Sequence, residues 1–230
     1  MNEIIDGFLT AIHLIVTFDP EVYEVAFRSI YITFSATVIA SVISIPIALF
    51  LAFRTFPGKR TIINLVHTLY ALPTVLIGLV VFLMLSRQGP FGFLGLLFTP
   101  GAMIIGQVIL IIPIIIGLTY SALVALDPVI KDTIISLGAD YFQFMVSILK
   151  EIRFVVYATV AMAFGRAISE VGAAIMIGGN IRGYTRVLTT SIALETSMGN
   201  IELSMALGMI LLFIALTLNF IMTSIRRESD

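Results

Sequence analysis

Apolar residues fall in five long blocks, 29–53, 62–85, 101–124, 154–178 and 203–225, separated by shorter polar or Gly/Pro-rich stretches. Each block meets the roughly 20 residues that an α-helix needs to cross a bilayer. Four of the five contain no Asp, Glu, Lys or Arg. The pattern predicts an all-α polytopic membrane protein with five transmembrane helices, organised as one transmembrane domain over residues 1–230. A sixth apolar run, 7–18, is too short to span and is bracketed by Asp6 and Asp19, which predicts a short N-terminal helix at the interface. Pro46, Pro73 and Pro113 lie inside the first three blocks. Each frees a carbonyl and favours a kink that neighbouring helices must satisfy.

Composition agrees with the pattern. The chain is 59% hydrophobic and 12% charged, against about 25% charged in soluble domains. It has no cysteine, which excludes disulfides and thiolate metal sites. The first six residues carry Glu3 and Asp6 but no Lys or Arg, the wrong sign for the start of a signal peptide.

Charge then orients the bundle. Arg54, Lys59 and Arg60 follow the first block, Lys131, Lys150 and Arg153 lie between the third and fourth, and Arg226 and Arg227 follow the fifth. With five crossings these three regions share one side, which the positive-inside rule makes the cytoplasm. Glu3, Asp6, Asp19, Glu21, Glu24, Arg87, Arg182, Arg186, Glu195 and Glu202 fall on the other. The expected location is the cell membrane of a bacterium or archaeon, multi-pass, with the N-terminus outside and the C-terminus cytoplasmic.

The fourth block is the exception to the uncharged pattern, because it carries Arg166 and Glu170 in its middle. Each ionisable group at bilayer depth costs roughly 3 kcal/mol on insertion scales, so these two face protein or water rather than lipid. Their i,i+4 spacing puts them on one helix face, where they can pair. A structural ion pair locking helices together and a place beside a translocation path both fit this pattern.

The connection 125–153 is the second informative segment. Asp127-Pro128 reads as a helix N-cap followed by proline at the first helical position. A helix over 129–136 is followed by a break at Leu137-Gly138-Ala139 and a new cap at Asp140. A second helix over 141–152 puts Phe142, Met145, Ile148 and Leu149 on one face. An elbow of this kind suits docking, while a plain amphipathic helix lying on the membrane is the competing reading.

Residues 132–151 resemble the EAA loop of permease subunits from ATP-binding-cassette importers, a pattern of Glu-Ala-Ala, three residues, Gly, nine residues, Ile, one residue and Leu-Pro. Gly138 and Ile148 keep the separation, and Leu137-Gly138-Ala139 keeps the common core. Asp132-Thr133-Ile134 stands for Glu-Ala-Ala, and Lys150-Glu151 for Leu-Pro. Residues 165–174, Gly-Arg-Ala-Ile-Ser-Glu-Val-Gly-Ala-Ala, are similar to a segment in the oxyanion permeases for sulfate, molybdate and tungstate. The run 178–196 and the five-span layout look closest to the tungstate permeases.

The resemblance implies a permease that forms the translocation path as a homodimer, with a cytoplasmic ATP-binding-cassette ATPase dimer docked on the elbows and an extracytoplasmic substrate-binding protein outside. It implies coupling through Asp132, Leu137, Gly138, Ala139 and Asp140. Pathway or gate candidates are Arg166, Ser169, Glu170, Gly172, Asn180, Arg182 and Arg186. The forked guanidinium donors of arginine suit a tetrahedral oxyanion, and the Gly-, Thr- and Asn-rich 178–200 segment can offer backbone donors. Glu170 repels an anion, so it is expected to neutralise Arg166 or cap a neighbouring helix. Molybdate and sulfate are the alternative substrates within the family. An ion-gradient-driven secondary carrier is the alternative from another class.

Catalytic readings find little support. No Gly-x-x-x-x-Gly-Lys-Ser/Thr loop is present, so ATP hydrolysis is assigned to a separate subunit and this chain is not expected to be an enzyme by itself. His13 and His67 are too far apart to suggest a metal motif, and His67 reads as a structural histidine near Asn64 and Tyr70. No cofactor or metal is expected. Membrane lipid is an expected partner, and nucleic acid is not.

Overall fold

The computed structural model describes residues 2–227, and among them helices, turns and loops but no strands. The side chains of Glu3, Arg226 and Arg227, used above for orientation, lie outside the described residues. The longest helix, α2 (Pro20–Phe53), opens on Asp19, whose carboxylate accepts from the Glu21 and Val22 amides at 3.1 Å. Proline at the first helical position needs no amide partner, so the cap and the sequence agree. At 1.5 Å per residue α2 is about 50 Å long, well beyond the ~30 Å hydrocarbon core. It therefore joins the two ends of the molecule. Its other end is closed by Lys59, whose Nζ donates to the carbonyls of Ala52 at 3.3 Å and Arg54 at 3.1 Å.

α2 lies along α5 (Pro100–Ala125), and most of the buried residues of α2 are small. Ser29, Thr33, Ala36, Thr37, Ala40, Ser44 and Ala48 form the buried stripe of α2. Small side chains let helix backbones approach closely, which matters where lipid supplies no hydrophobic drive between helices. Among the polar members of the stripe, Thr37 Oγ1 donates to Thr33 O at 2.8 Å and Ser29 Oγ to Val25 O at 2.7 Å, while Ser44 Oγ reaches across to Ile112 O of α5 at 3.4 Å. Large apolar side chains instead face outward from α2, among them Phe27, Phe34 and Val42, as expected of a lipid-facing surface.

Among the described residues, α2 and α5 alone are by themselves long and apolar enough to cross a membrane. The expected span 62–85 is two helices, α3 (Lys59–Leu69) and α4 (Thr74–Leu85), bent by 103°. Pro73 causes the break, since it lacks an amide hydrogen and disfavours helical geometry at Leu72. The expected span 154–178 is likewise α8 (Arg153–Ile168) and α9 (Gly172–Gly178), bent by 64°. Counting each bent pair as one crossing gives up to four candidate spans. The last expected span lies within α11 (Ile201–Arg227). The expected 7–18 helix begins earlier, as α1 (Asn2–Val16), and packs along α11 with Gly7 against Met205.

The main core joins α2, α4, α5, α8 and α9 through residues such as Ala40, Val81, Ile111, Ile115, Ala167 and Ile177. A second core sits at the far end of α2, where Leu49, Leu123, Ile148 and Ile152 seat the elbow helices α6 (Pro128–Ser136) and α7 (Tyr141–Glu151). At the opposite end Val22, Val25, Leu188 and Leu207 join α2 and α11 to α10 (Leu188–Met198).

Candidate functional site

The break between α8 and α9 is where the charged pair sits. α8 starts at the elbow end and runs 16 residues, about 24 Å, before it stops, which puts the break at membrane depth. A helix end in such a place must satisfy its loose backbone groups internally. Ser169 Oγ lies 3.0 Å from Gly165 O and 3.1 Å from Arg166 O. Gln107 of α5 donates Nε2 to Ala167 O at 3.2 Å, and Thr189 Oγ1 donates to Glu170 O at 2.7 Å. The Ala173 amide in the first turn of α9 donates to Glu170 Oε1 at 3.0 Å.

Glu170 therefore does both things expected of it. One oxygen caps α9, and the other accepts from Arg166 Nη1 at 3.2 Å. The carboxylate is only 4% exposed, whereas Arg166 is 39% exposed. The pair is thus anchored on its acidic side and open on its basic side. Gly172 lies close to α4, where a β-carbon would come 2.9 Å from Val75 Cγ2. Gly78 on α4 is tighter still, with a β-carbon there meeting the Ala173 backbone at 2.8 Å. Gln107 Oε1 has no protein partner and lines a void of about 10 Å³ beside Glu170, room for one water.

Arg182 and Arg186 do not join this pair. They lie at the opposite end of α2 from the elbow, where both reach the Glu21 carboxylate, at 2.5 Å and 3.8 Å. Glu21's hydrogen bond and charge raise the Arg182 guanidinium above its already high ordinary value. Arg28 donates to Arg186 O at 3.0 Å and pairs with Glu24. Asn180 adopts a left-handed backbone, φ 51°, and its Nδ2 lies 3.4 Å from Thr190 O. Thr185 Oγ1 braces the same loop, donating to Gly178 O at 2.6 Å and accepting from the Ile181 amide at 2.9 Å.

The elbow forms as the local signals predict. Asp127 accepts from the Val129 amide at 2.8 Å, and Gly138 takes φ 76°, a left-handed value that favours glycine. Asp140 and Gln143 form a reciprocal capping box. Ile148 is fully buried, and Phe144 packs edge-on against Phe53 of α2 at 5.2 Å. Phe142, expected on the packed face, is 75% exposed, because the buried face turns through Phe144 and Met145 instead. Val129 and Leu137 are exposed as well, so apolar side chains are left uncovered on both sides of Gly138. Asp132 is exposed on α6, and Ala139 is half-buried at the bend.

The sequence model for binding-protein-dependent transport system inner membrane components matches residues 44–228. The chain belongs to this family. As a member of it, the chain is a multi-pass membrane component of a transport system. It is 42% identical over 228 residues to the tungstate uptake system permease protein TupB of Peptoclostridium acidaminophilum, covering 99% of this chain and 100% of that one. TupB of Campylobacter jejuni is 36% identical, covering 99% of this chain and 95% of its own length. The molybdenum transport system permease protein ModB of Escherichia coli is 25% identical over 75% of this chain and 79% of its own.

The sequence pairs Arg166 with Glu170 but gives Arg182 and Arg186 no partner. Glu21 lies 161 residues from Arg182, and no local pattern links them. Thr189 was likewise hidden in a polar run. Gln107 did carry a signal, since it is a lone amide in the apolar 101–124 block.

Proposed function

We propose that this chain is the permease subunit of an ATP-driven importer for a tungstate-type oxyanion. Two copies form the path through five crossings each, with the N-terminus outside and the C-terminus cytoplasmic. A cytoplasmic pair of ATP-binding-cassette ATPases docks on the elbows, and an extracytoplasmic binding protein delivers the ion at the other face. The observation that carries this reading is the 42% identity to a tungstate uptake permease over the full length of both chains.

The local chemistry supports it. An elbow end with exposed apolar side chains at Leu137 and Phe142 suits a docking groove on a partner. Asp132, Leu137, Gly138, Ala139 and Asp140 are the coupling residues. Closure of the ATPases pushes the elbows, and α7 passes that motion to α2, α5 and α8 through the Ile148 and Phe144 contacts. The α8–α9 break is the point at which a bundle can flex without breaking a continuous helix. Arg166 at this break offers donors to a passing dianion, while Glu170 keeps the site from becoming a deep trap. Ser169, Gly172 and Asn180 shape the same path, and Arg182 and Arg186 stand at the outer mouth.

Tungsten accumulation by cells with and without this chain tests the reading, with molybdate or sulfate as competitor and a parallel ATP-depleted arm. ATP-dependent uptake that excess molybdate barely inhibits is the expected result. Equal inhibition by molybdate or sulfate widens the substrate to oxyanions generally. Uptake that survives ATP depletion overturns the reading in favour of a gradient-driven carrier.

A further inference from the structure

The mouth contains more negative charge than an anion path needs. Glu21 stands between Arg182 and Arg186, and Asp19, Glu24 and Glu195 surround it. Arg28 is occupied by Glu24 and by the Arg186 carbonyl. Asp19 is occupied as the α2 cap, and Glu195 accepts from Asn200 Nδ2 at 2.8 Å. Glu21 is thus the acid that reaches both loop arginines. It does so from the first turn of α2, a rigid helix, across a separation of 161 residues from Arg182.

Beside this contact lies a cleft of about 220 Å³, lined by Arg186, Ser191, Glu195 and the apolar Val22, Val25 and Leu207 among others. Arg186 Nε and Ser191 Oγ are buried on it without partners. Ser191 is only 3% exposed. Two donors, one of them on the Arg186 guanidinium itself, therefore remain unsatisfied beside the Glu21 carboxylate.

From this geometry we infer that Glu21 is a built-in counter-anion, competing with the transported oxyanion for Arg182 and Arg186. It rests on the proposed import of an oxyanion, and it adds a residue that sets how firmly the mouth holds the ion. A carboxylate and a tetrahedral dianion ask for the same forked donors. With Glu21 in place the arginines present little free positive charge, so the mouth passes an ion without retaining it. Once Glu21 turns aside, Arg182, Arg186 and Ser191 become donors to the ion. Conduction requires such weak binding at each stage.

The test is tungstate binding to the purified full-length chain in lipid nanodiscs, by equilibrium dialysis with metal detection. Glu21→Gln keeps the size and a hydrogen-bonding group but removes the charge. It is expected to bind tungstate about tenfold or more tightly than the wild type, the scale of one charge-assisted contact. Adding Arg186→Gln or Arg182→Gln to it should abolish the gain. Equal binding by wild type and Glu21→Gln overturns the inference, as does a gain that survives loss of both arginines. Should Glu21→Gln fold poorly, Glu21→Asp, one methylene shorter, should show a smaller gain of the same sign, and no gain there also overturns it. ATP-dependent tungsten uptake by cells carrying the wild type keeps the two readings apart. Uptake present with no gain in Glu21→Gln removes only the counter-anion role, whereas absent uptake removes the import reading itself.

Discussion

Glu170 carries more of the site than any other side chain. Its burial is tolerable because both oxygens are used, one on the Ala173 amide and one on Arg166. Replacement by alanine removes a cap and leaves Arg166 with no carboxylate at membrane depth. Breaking a fully buried pair costs about 3–5 kcal/mol. Arg166 is 39% exposed and can turn toward water, so the expected loss for Glu170→Ala is nearer ~2 kcal/mol. Thermal unfolding in detergent measures it. Glu170→Gln keeps an acceptor for the cap and should lose less than half as much. If the two variants unfold alike, the cap contributes nothing and the charge alone matters. The i,i+4 spacing made the pair legible in the sequence. The cap is legible there only as one of two roles for Glu170, because its partner is created by the helix break, and apolar runs do not mark where one helix becomes two.

The elements divide into those whose signals are local and those whose signals are not. The elbow belongs to the first group: Asp127, Gly138 and Asp140 act on neighbours within three residues, so reading the sequence finds both helices and the bend. The span breaks belong to the second. Pro73 marks one, but not how the 103° bend is seated: the Tyr70 hydroxyl at the break lies directly over Gly117 of α5, a contact between distant segments. Gly117→Ala puts a methyl group where that hydroxyl lies and must evict the ring. Overpacking of this kind costs about 1–3 kcal/mol. A compensating Tyr70→Ala should recover part of it, so a double-mutant cycle should be non-additive by at least about 0.5 kcal/mol. Additive losses mean that the two residues do not meet. At the elbow, Gly138→Val has free space around its side chain but must hold a left-handed backbone. That strain is about 1–2 kcal/mol, or a factor of roughly 5–30 in the population of the bend. Ile148 still anchors α7, so folding should be kept while tungsten uptake per ATP hydrolysed falls by about that factor. Unchanged coupling in reconstituted vesicles rules out the elbow as the transmission point.

At the scale of the whole molecule, α2 sets the polarity. Its first turn holds the acidic cluster around Glu21, and its last turn meets Lys59, Phe144 and the basic elbow end, about 50 Å away. One helix therefore carries opposite charge biases at its two ends, which is the asymmetry that the positive-inside rule converts into orientation. On that rule the proposed orientation has the elbow in the cytoplasm and the 181–187 loop outside. Tyr184 and Leu137 are both exposed, one at each end. The chain contains no cysteine, so a single introduced thiol is the only reactive one on it. Tyr184→Cys should react in intact cells with a maleimide that cannot cross the membrane, whereas Leu137→Cys should react only after the membrane is opened. The reverse pattern inverts the topology, and with it the assignment of the elbow to an ATPase, because ATP is available only on the cytoplasmic side. Labelling of both sites in intact cells is incompatible with α2 crossing the bilayer, since the one helix that joins the two ends would then have both of them on the same side.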